Sequence, residues 1–120
     1  MPRRDLHHAQ VFYPAGGEAR ARAFYGGLLG LDELPRPETL GEREGIWFAA
    51  GPGQVHLSVD ADLALHPRRH FALRVDDLDD CVARLRGSGA RLEEATPIPA
   101  WRRVYVFDPF GNKIELDEIG

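Results

Sequence analysis

The chain has 120 residues, of which 43% are hydrophobic and 28% are charged, and its formal net charge is -4. This balance is typical of one globular domain, and without a basic cluster it argues against nucleic acid as a partner. No apolar run reaches the roughly 20 residues that cross a bilayer, and the single cysteine, Cys81, excludes an internal disulfide and predicts a buried thiol in a reducing, cytoplasmic setting.

The first half of the chain is predicted to form four strands and one helix. Alternating or short apolar segments predict strands at residues 6–13, 31–34, 45–50 and 54–59. Apolar residues at helical spacing predict a helix that begins near Glu18 and ends at Gly30. A loop rich in proline and glutamate occupies 35–44, and the Gly-Pro-Gly sequence at 51–53 is typical of a tight hairpin turn.

The second half follows a linker at 60–69 and is also predicted to form four strands and one helix. Its predicted strands cover residues 70–75, 90–95, 102–107 and 113–118. The helix follows the first of these strands. Asp76 or Asp77 is expected to cap it, and Gly87 is expected to end it.

The two halves form an internal repeat. The order strand, helix, strand, strand, strand occupies about 6–59 and recurs at about 70–117, with few identical residues. Halves of about 60 residues are too small for each to bury a full core. We therefore predict an α+β fold in which two βαβββ modules make one domain over residues 1–120.

Polar side chains occupy corresponding positions of the repeat, on the strand faces that carry no apolar stripe. His8 and His70 open the first strand of each half and are 62 residues apart. His56 and Glu115 lie in the last strand of each half and are 59 residues apart. If a pseudo-twofold axis relates the halves, these four side chains meet near that axis.

Three imidazoles and a carboxylate form a common ligand set for one divalent ion, such as Zn, Ni, Fe, Co or Mn. Four ligands on rigid strands leave two positions of an octahedral ion open for water or for two oxygens of a chelating substrate. The alternative for each residue taken singly is a polar side chain on a solvated face. Of the other two histidines, strand alternation places His7 on the packed face, and His66 is expected at the surface.

Five segments together resemble the vicinal oxygen chelate superfamily, which includes glyoxalases, bleomycin-resistance proteins and extradiol dioxygenases. In chain order they are LHHAQVFYP, ARAFYGGLLGL, QVHLSV, HFALRVDDLDD and YVFDPFGNKIEL. The resemblance covers nearly the whole chain. It implies that the two modules form a curved, cup-like mixed sheet with helices on the outer face and a divalent metal inside. It also implies a homodimer, whose site is built either within one chain or across two swapped chains.

The resemblance assigns roles residue by residue. The ligand of the family's first strand matches His8, the ligand of its fourth strand matches His56, and the second-module histidine matches His70. The final ligand matches Glu115, which is also the expected catalytic base for proton transfer next to a carbonyl. Many glyoxalase-like members carry Glu or Gln where this chain has His56.

The same strand faces carry the predicted substrate contacts. Arg103 and Arg74 are candidate contacts for an anionic group, because a guanidinium binds a carboxylate or phosphonate through two hydrogen bonds. Trp47, Tyr105 and Phe12 are candidate walls of the substrate pocket, with ordinary packing as the alternative.

The favoured interpretation is a metal-dependent enzyme that performs lyase, isomerase or transferase chemistry on a small oxygen-chelating substrate. Two alternatives stay open. One is a protein that sequesters an antibiotic in the same cup without turnover. The other is an extradiol dioxygenase-type oxidoreductase with an iron site of two histidines and one carboxylate. Bound metal is the observation that separates an enzyme from a sequestration protein.

Overall fold

The computed structural model describes residues 2–119, which divide into two compact units. We call the unit that ends at Leu63 the first module and the unit that begins at Ala64 the second module. Each module contains a strand, a helix and three further strands in that order. The predicted α+β fold of two βαβββ modules is therefore confirmed, whereas their union in one cooperative domain stays a prediction.

The first module is a four-stranded mixed sheet with one helix. Its elements are β1 (His8–Tyr13), α1 (Glu18–Ala21), β2 (Glu33–Leu34), β3 (Gly45–Ala50) and β4 (Gly53–Val59). The strand order is β1-β4-β3-β2, in which β1 is parallel to β4 and the other pairs are antiparallel. After α1 the chain continues as a π-helical turn over Arg22–Leu28, which contains the weak helix formers Gly26 and Gly27. Gly30 follows with a φ of +71°, the left-handed conformation that often ends a helix.

The second module repeats this topology. Its elements are β5 (His70–Arg74), α2 (Leu78–Gly87), β6 (Leu92–Glu94), β7 (Trp101–Phe107) and β8 (Lys113–Ile119). The strand order is β5-β8-β7-β6, with β5 parallel to β8 and the other pairs antiparallel. In both modules the first strand therefore pairs in parallel with the last one.

Each helix packs on the apolar face of its own sheet. In the first module the rings of Tyr25 and Phe48 stack with their centroids 5.8 Å apart, and Leu57 of β4 is fully buried. In the second module α2 packs on β8 and buries Cys81, so the predicted burial of that thiol is confirmed. Within residues 2–119, no helix is long and apolar enough to cross a membrane.

One local prediction is wrong and a second needs correction. Strand β1 begins two residues later than predicted, at His8, so His7 precedes the strand and its side chain is exposed instead of packed. Asp77 does occupy the N-cap position of α2, but its side chain makes no capping hydrogen bond. The amide of Leu78 instead donates to Oε2 of Glu118, 3.1 Å away on β8. The cap of this helix thus comes from the far end of the module.

Candidate metal and substrate site

Each sheet has a polar face on the side opposite its packed helix, because side chains alternate along a strand. The polar face of the first module comprises His8, Gln10, Phe12, Trp47, Gln54, His56 and Ser58. The polar face of the second module comprises His70, Arg74, Arg103, Tyr105, Lys113, Glu115 and Asp117. Every residue that the sequence predicts as a ligand or a substrate contact lies on one of these two faces.

The two polar faces share one strand register. In the first module Trp47 of β3 lies directly opposite His56 of β4, and in the second module Tyr105 of β7 lies directly opposite Glu115 of β8. Directly opposed side chains on one face are close enough to interact. An aromatic ring therefore lies beside a predicted metal ligand in both modules.

The first module holds three rings in a stack. The rings of Trp47 and His56 are nearly parallel, at 2°, with their centroids 4.0 Å apart. On its other side, the ring of His56 stacks on His8 with a centroid distance of 4.0 Å and an angle of 18°. The Nδ1 atoms of His7 and His8 are 2.9 Å apart, so His7 closes the stack edge-on. Both predicted ligands of this module are thus in contact with each other.

His56 is held as a neutral imidazole. Burial, together with the nearby His8 and His7, lowers the pKa of His56 to about 4, so the ring carries no charge at neutral pH. Its Nε2 lies 2.7 Å from Oε1 of Gln54. Because an amide oxygen only accepts hydrogen bonds, Nε2 of the neutral ring carries the proton and Nδ1 keeps the lone pair. Gln54 therefore fixes which nitrogen of His56 is free to bind a ligand.

The stack limits how the first module can hold an ion. The lone pair of an imidazole nitrogen lies in the plane of its ring. Two rings only 18° from parallel therefore direct their lone pairs side by side rather than at one point. Ligation of one ion by both His8 and His56 requires one of the rings to turn.

The second module brings His70 and Glu115 into direct contact. Nδ1 of His70 donates a hydrogen bond to the carbonyl of Arg68 at 2.9 Å, and Nε2 lies 3.2 Å from Oε1 of Glu115. When a backbone carbonyl accepts a hydrogen bond from one imidazole nitrogen, the other nitrogen is left free to bind a metal.

The distance between these two atoms fits a metal site. Bonds of about 2.0–2.2 Å from zinc to nitrogen and oxygen put neighbouring ligand atoms about 3.0 Å apart in an octahedral site and about 3.4 Å apart in a tetrahedral one. The observed 3.2 Å between Nε2 of His70 and Oε1 of Glu115 lies between these values. The pair therefore has the spacing of two adjacent ligands without any rearrangement.

Glu115 is kept ionised although it is buried. Burial opposes its charge, but a hydrogen bond with Asp117, the guanidinium of Arg103 and a hydrogen bond with Tyr105 outweigh that effect, so the pKa of Glu115 lies below its ordinary value. Asp117 behaves in the opposite way. Burial and the adjacent Glu115 raise the pKa of Asp117 to about 6. Glu115 therefore ionises first, and the proton that this carboxyl pair takes up as the pH falls toward 6 binds mainly to Asp117.

Arg103 is engaged within its own module. Its Nη1 donates to Oε1 of Glu115 at 3.1 Å and to the hydroxyl of Tyr105 at 3.2 Å. Its Nη2 and Nε donate to the carbonyl of Thr96 at 2.8 and 3.2 Å. The guanidinium thus holds the carboxylate of Glu115 against the end of β6, and its role as a substrate contact stays a prediction.

The other predicted contacts differ in exposure. Phe12 and Trp47 are half-buried, whereas Arg74 is exposed at the end of β5. His66 is exposed in the loop before β5, as predicted. Gln54 is absent from the sequence predictions although it is two residues from His56 on the same strand face, and that alternation is the signal that could have found it.

The predicted metal ligands form one pair in each module. His8 and His56 are in contact in the first module, and His70 and Glu115 are in contact in the second. Among residues 2–119, no group of three or more His, Cys, Asp or Glu side chains already has the geometry of a metal site. Convergence of the two pairs on one ion stays a prediction.

Comparisons with known proteins agree with this architecture. The model of a glyoxalase-like domain family matches residues 10–116 of the chain. A crystal structure of a glyoxalase family protein from Bacillus anthracis is similar with a TM-score of 0.90 and 37% sequence identity. That similarity covers 100% of this chain and 98% of the other.

Two more distant structures share the fold. The fosfomycin resistance protein FosX from Listeria monocytogenes has a TM-score of 0.74 at 16% identity, over 98% of this chain and 92% of its own. Lactoylglutathione lyase from Agrobacterium tumefaciens has a TM-score of 0.72 at 21% identity, over 98% of this chain and 96% of its own. No curated protein sequence matches the chain.

Proposed function

Because the chain belongs to the glyoxalase-like domain family of the vicinal oxygen chelate superfamily, we propose that it is a metal-dependent enzyme acting on a small oxygen-rich molecule. Family membership confirms the resemblance predicted from the sequence. Two structures of the same fold belong to a lyase and to an antibiotic resistance protein, so the fold alone is compatible with more than one activity. The side chains on the polar faces of the two modules therefore have to distinguish between these activities.

The contact between His70 and Glu115 carries the proposal. Its 3.2 Å spacing, and the hydrogen bond from Nδ1 of His70 to the Arg68 carbonyl, suit two adjacent ligands of one divalent ion. On the grounds of the repeat in the sequence, we propose His8 and His56 as the other two ligands. A Zn, Ni, Fe, Co or Mn ion bound there would supply Lewis acidity toward substrate oxygens.

The residues around Glu115 favour its role as a metal ligand over its role as a catalytic base. Its lowered pKa makes the carboxylate a good anionic ligand and a weak proton acceptor. Proton abstraction by Glu115 would require its contact with Arg103 to loosen, because that guanidinium stabilises the charge that protonation removes. We therefore propose Glu115 first as a ligand, and its role as the catalytic base stays a prediction.

For the reaction we propose lyase or isomerase chemistry in which a proton moves next to a substrate carbonyl. The ring of Trp47 beside His56 and the ring of Tyr105 beside Glu115 would flank the substrate, with Phe12 as a further wall and Arg74 as a further anion contact. A cytoplasmic homodimer is part of the proposal, and light scattering during size-exclusion chromatography measures the predicted dimer directly.

Metal binding tests the proposal. The purified chain is stripped with a chelator and titrated with Co²⁺, whose absorption spectrum reports its nitrogen and oxygen ligands. We expect about one bound ion per chain. His70→Ala and Glu115→Gln should each weaken binding by more than about 100-fold, since a lost direct ligand affects affinity more than the roughly 10–100-fold of an outer-shell change.

The matched control is His66→Ala, because His66 is an exposed histidine of the same module and lies off the polar face. Its affinity for Co²⁺ should equal that of the unmodified chain. Absence of binding in the unmodified chain, or unchanged binding in His70→Ala, would refute the metal site and favour sequestration. Unchanged affinity in His8→Ala would contradict the four-ligand set.

A further inference from the structure

The polar face of the first module borders a cavity of about 440 Å³. Its lining includes Gln10, Arg36, Arg43, Trp47, His56 and Ser58. We propose that this cavity binds the substrate as a small organic anion with a flat apolar body, whose carboxylate contacts Arg36 and Arg43. The inference rests on the proposed function, because it takes this polar face as the substrate side.

Comparison of the two modules shows where the guanidinium of Arg36 lies. In the second module, Arg103 lies directly opposite Asp117 on neighbouring strands. The corresponding pair in the first module is Gly45 and Ser58. In each module this pair lies two residues along the strands from the aromatic ring and the predicted ligand that face each other. Gly45 has no side chain, and a Cβ built there would lie 3.3 Å from Cζ of Arg36. The 35–44 loop therefore places the guanidinium of Arg36 at the position that corresponds to Arg103 on β7 of the second module.

The two guanidinium groups differ in what neutralises them. Arg103 contacts the carboxylate of Glu115, whereas His56 and Ser58, which have no carboxylate, take the places of Glu115 and Asp117 in the first module. Nη1 of Arg36 donates to the carbonyl of Arg43.

Arg36 keeps unused hydrogen-bond donors. Its Nε is buried without an acceptor among residues 2–119, although the same atom of Arg103 donates to a carbonyl. A buried N–H without a partner is unfavourable, and a carboxylate oxygen would satisfy it.

The charges around the cavity favour an anion. Arg36 and Arg43 contribute two positive charges and Glu44 contributes one negative charge to the lining. Neither arginine forms an ion pair with any residue in the described part of the chain. A bound carboxylate would therefore meet two guanidinium groups whose charge is not already paired.

The side chains that line the cavity indicate the shape and polarity of the part of the ligand that carries no charge. Trp47 presents an indole that His56 holds in place by parallel stacking, and Leu40 adds apolar surface. Gln10 and Ser58 add two neutral hydrogen-bonding groups. A cavity of this size with an aromatic wall and few polar groups accepts a planar molecule of one or two rings.

The test compares an acid with its neutral amide. Naphthoate and naphthamide are titrated into the chelator-treated chain, and the indole N–H signal of Trp47 in an NMR spectrum reports binding, with Trp101→Phe used for assignment. We expect naphthoate to bind about tenfold more tightly than naphthamide, because only the acid forms charged hydrogen bonds. Arg36→Met should abolish this difference, and Arg43→Met should reduce it to about threefold.

Arg20→Met is the matched control, since Arg20 is an exposed arginine of α1 outside the cavity. This variant should keep the tenfold preference. Equal affinities in the unmodified chain, a preference retained in Arg36→Met, or no shift with either compound would each overturn the inference. Because the chelator removes metal from the experiment, failure here is distinct from failure of the metal site.

Discussion

The two modules share a topology and a strand register but differ in the chemistry of their polar faces. The first module has a stack of rings, with His56 between Trp47 and His8. The second module has a charged network, in which Glu115 contacts both His70 and Arg103. The same backbone positions therefore present stacked aromatic rings in one module and a carboxylate paired with a guanidinium in the other.

This difference shows that the repeat fixes where a side chain lies, whereas its neighbours fix its charge. Burial is the leading influence on both His56 and Glu115, and it opposes the charged form in each case. For His56, the nearby His8 and His7 also disfavour the charged form, so the ring stays neutral. Glu115 has the guanidinium of Arg103 nearby and stays ionised. Equivalent positions of the repeat thus hold a neutral imidazole at His56 and an ionised carboxylate at Glu115.

The largest expected effect tests whether the modules also share one unfolding transition. Leu57 of β4 and Leu116 of β8 lie opposite the first strand of their modules, and both are fully buried. Leu57→Ala and Leu116→Ala should each lower the free energy of unfolding by about 3 kcal/mol, through lost burial and the cavity left behind. Urea denaturation measures this loss.

Each module has its own spectroscopic reporter for that experiment. Trp47 lies in the first module and Trp101 in the second, so single-tryptophan versions follow each module separately. For one cooperative domain, both reporters should shift together in either variant. A shift confined to the module that carries the substitution would show that the two modules unfold independently.

The next effect in size concerns the two guanidinium groups. Arg103→Met leaves the buried carboxylate of Glu115 without its cation and should cost about 2–3 kcal/mol of stability. Arg36→Met removes one hydrogen bond to a carbonyl and no ion pair, so it should cost about 1 kcal/mol or less. Thermal and urea unfolding of the two variants at neutral pH measures this contrast.

The double variant Arg103→Met with Glu115→Gln tests why Arg103→Met is expected to lose stability. If the unpaired charge is what destabilises Arg103→Met, then neutralising Glu115 should restore most of the loss. Equal losses in Arg103→Met and Arg36→Met would instead show that packing, and not the carboxylate, determines the difference between the modules.

The sequence predicts the fold well because its signals are local. Strand β3 is observed over Gly45–Ala50, the range that alternation predicts, and β8 begins at Lys113 as predicted. Periodicity depends only on neighbouring residues, and the repeat of elements then determines which strands pair. The start of β1 is misplaced because the alternation continues through His7, which the structure leaves outside the strand.

The site is predicted less completely because its contacts join distant parts of a module. The spacing of the repeat identifies His70 and Glu115 as candidate ligands, and the structure brings these two into contact within one module. Nothing local in the sequence indicates that Arg103 donates to Thr96, or that the aperiodic 35–44 loop places Arg36 over Gly45. Such contacts depend on where loops return to the sheet, which alternation does not report.

The smallest expected effect concerns the start of the helix in each module. In the first module, α1 begins after Gly17, which has no side chain to cap it. In the second, Glu118 accepts the hydrogen bond from the amide of Leu78, whereas Asp77 makes no capping bond. Glu118→Ala should therefore cost about 1 kcal/mol, within the range measured for lost helix caps, and speed hydrogen exchange at the Leu78 amide.

Asp77→Ala is the control for this last contrast, because Asp77 lies at the N-cap position, where its carboxylate accepts from Arg84 at 3.4 Å and makes no capping hydrogen bond. Its stability and the exchange rate at Leu78 should stay close to those of the unmodified chain, since exposed ion pairs contribute little. A larger loss in Asp77→Ala than in Glu118→Ala would mean that the helix is capped locally. The second module would then depend less on contacts between its ends, and its helix would resemble α1 in relying on packing alone.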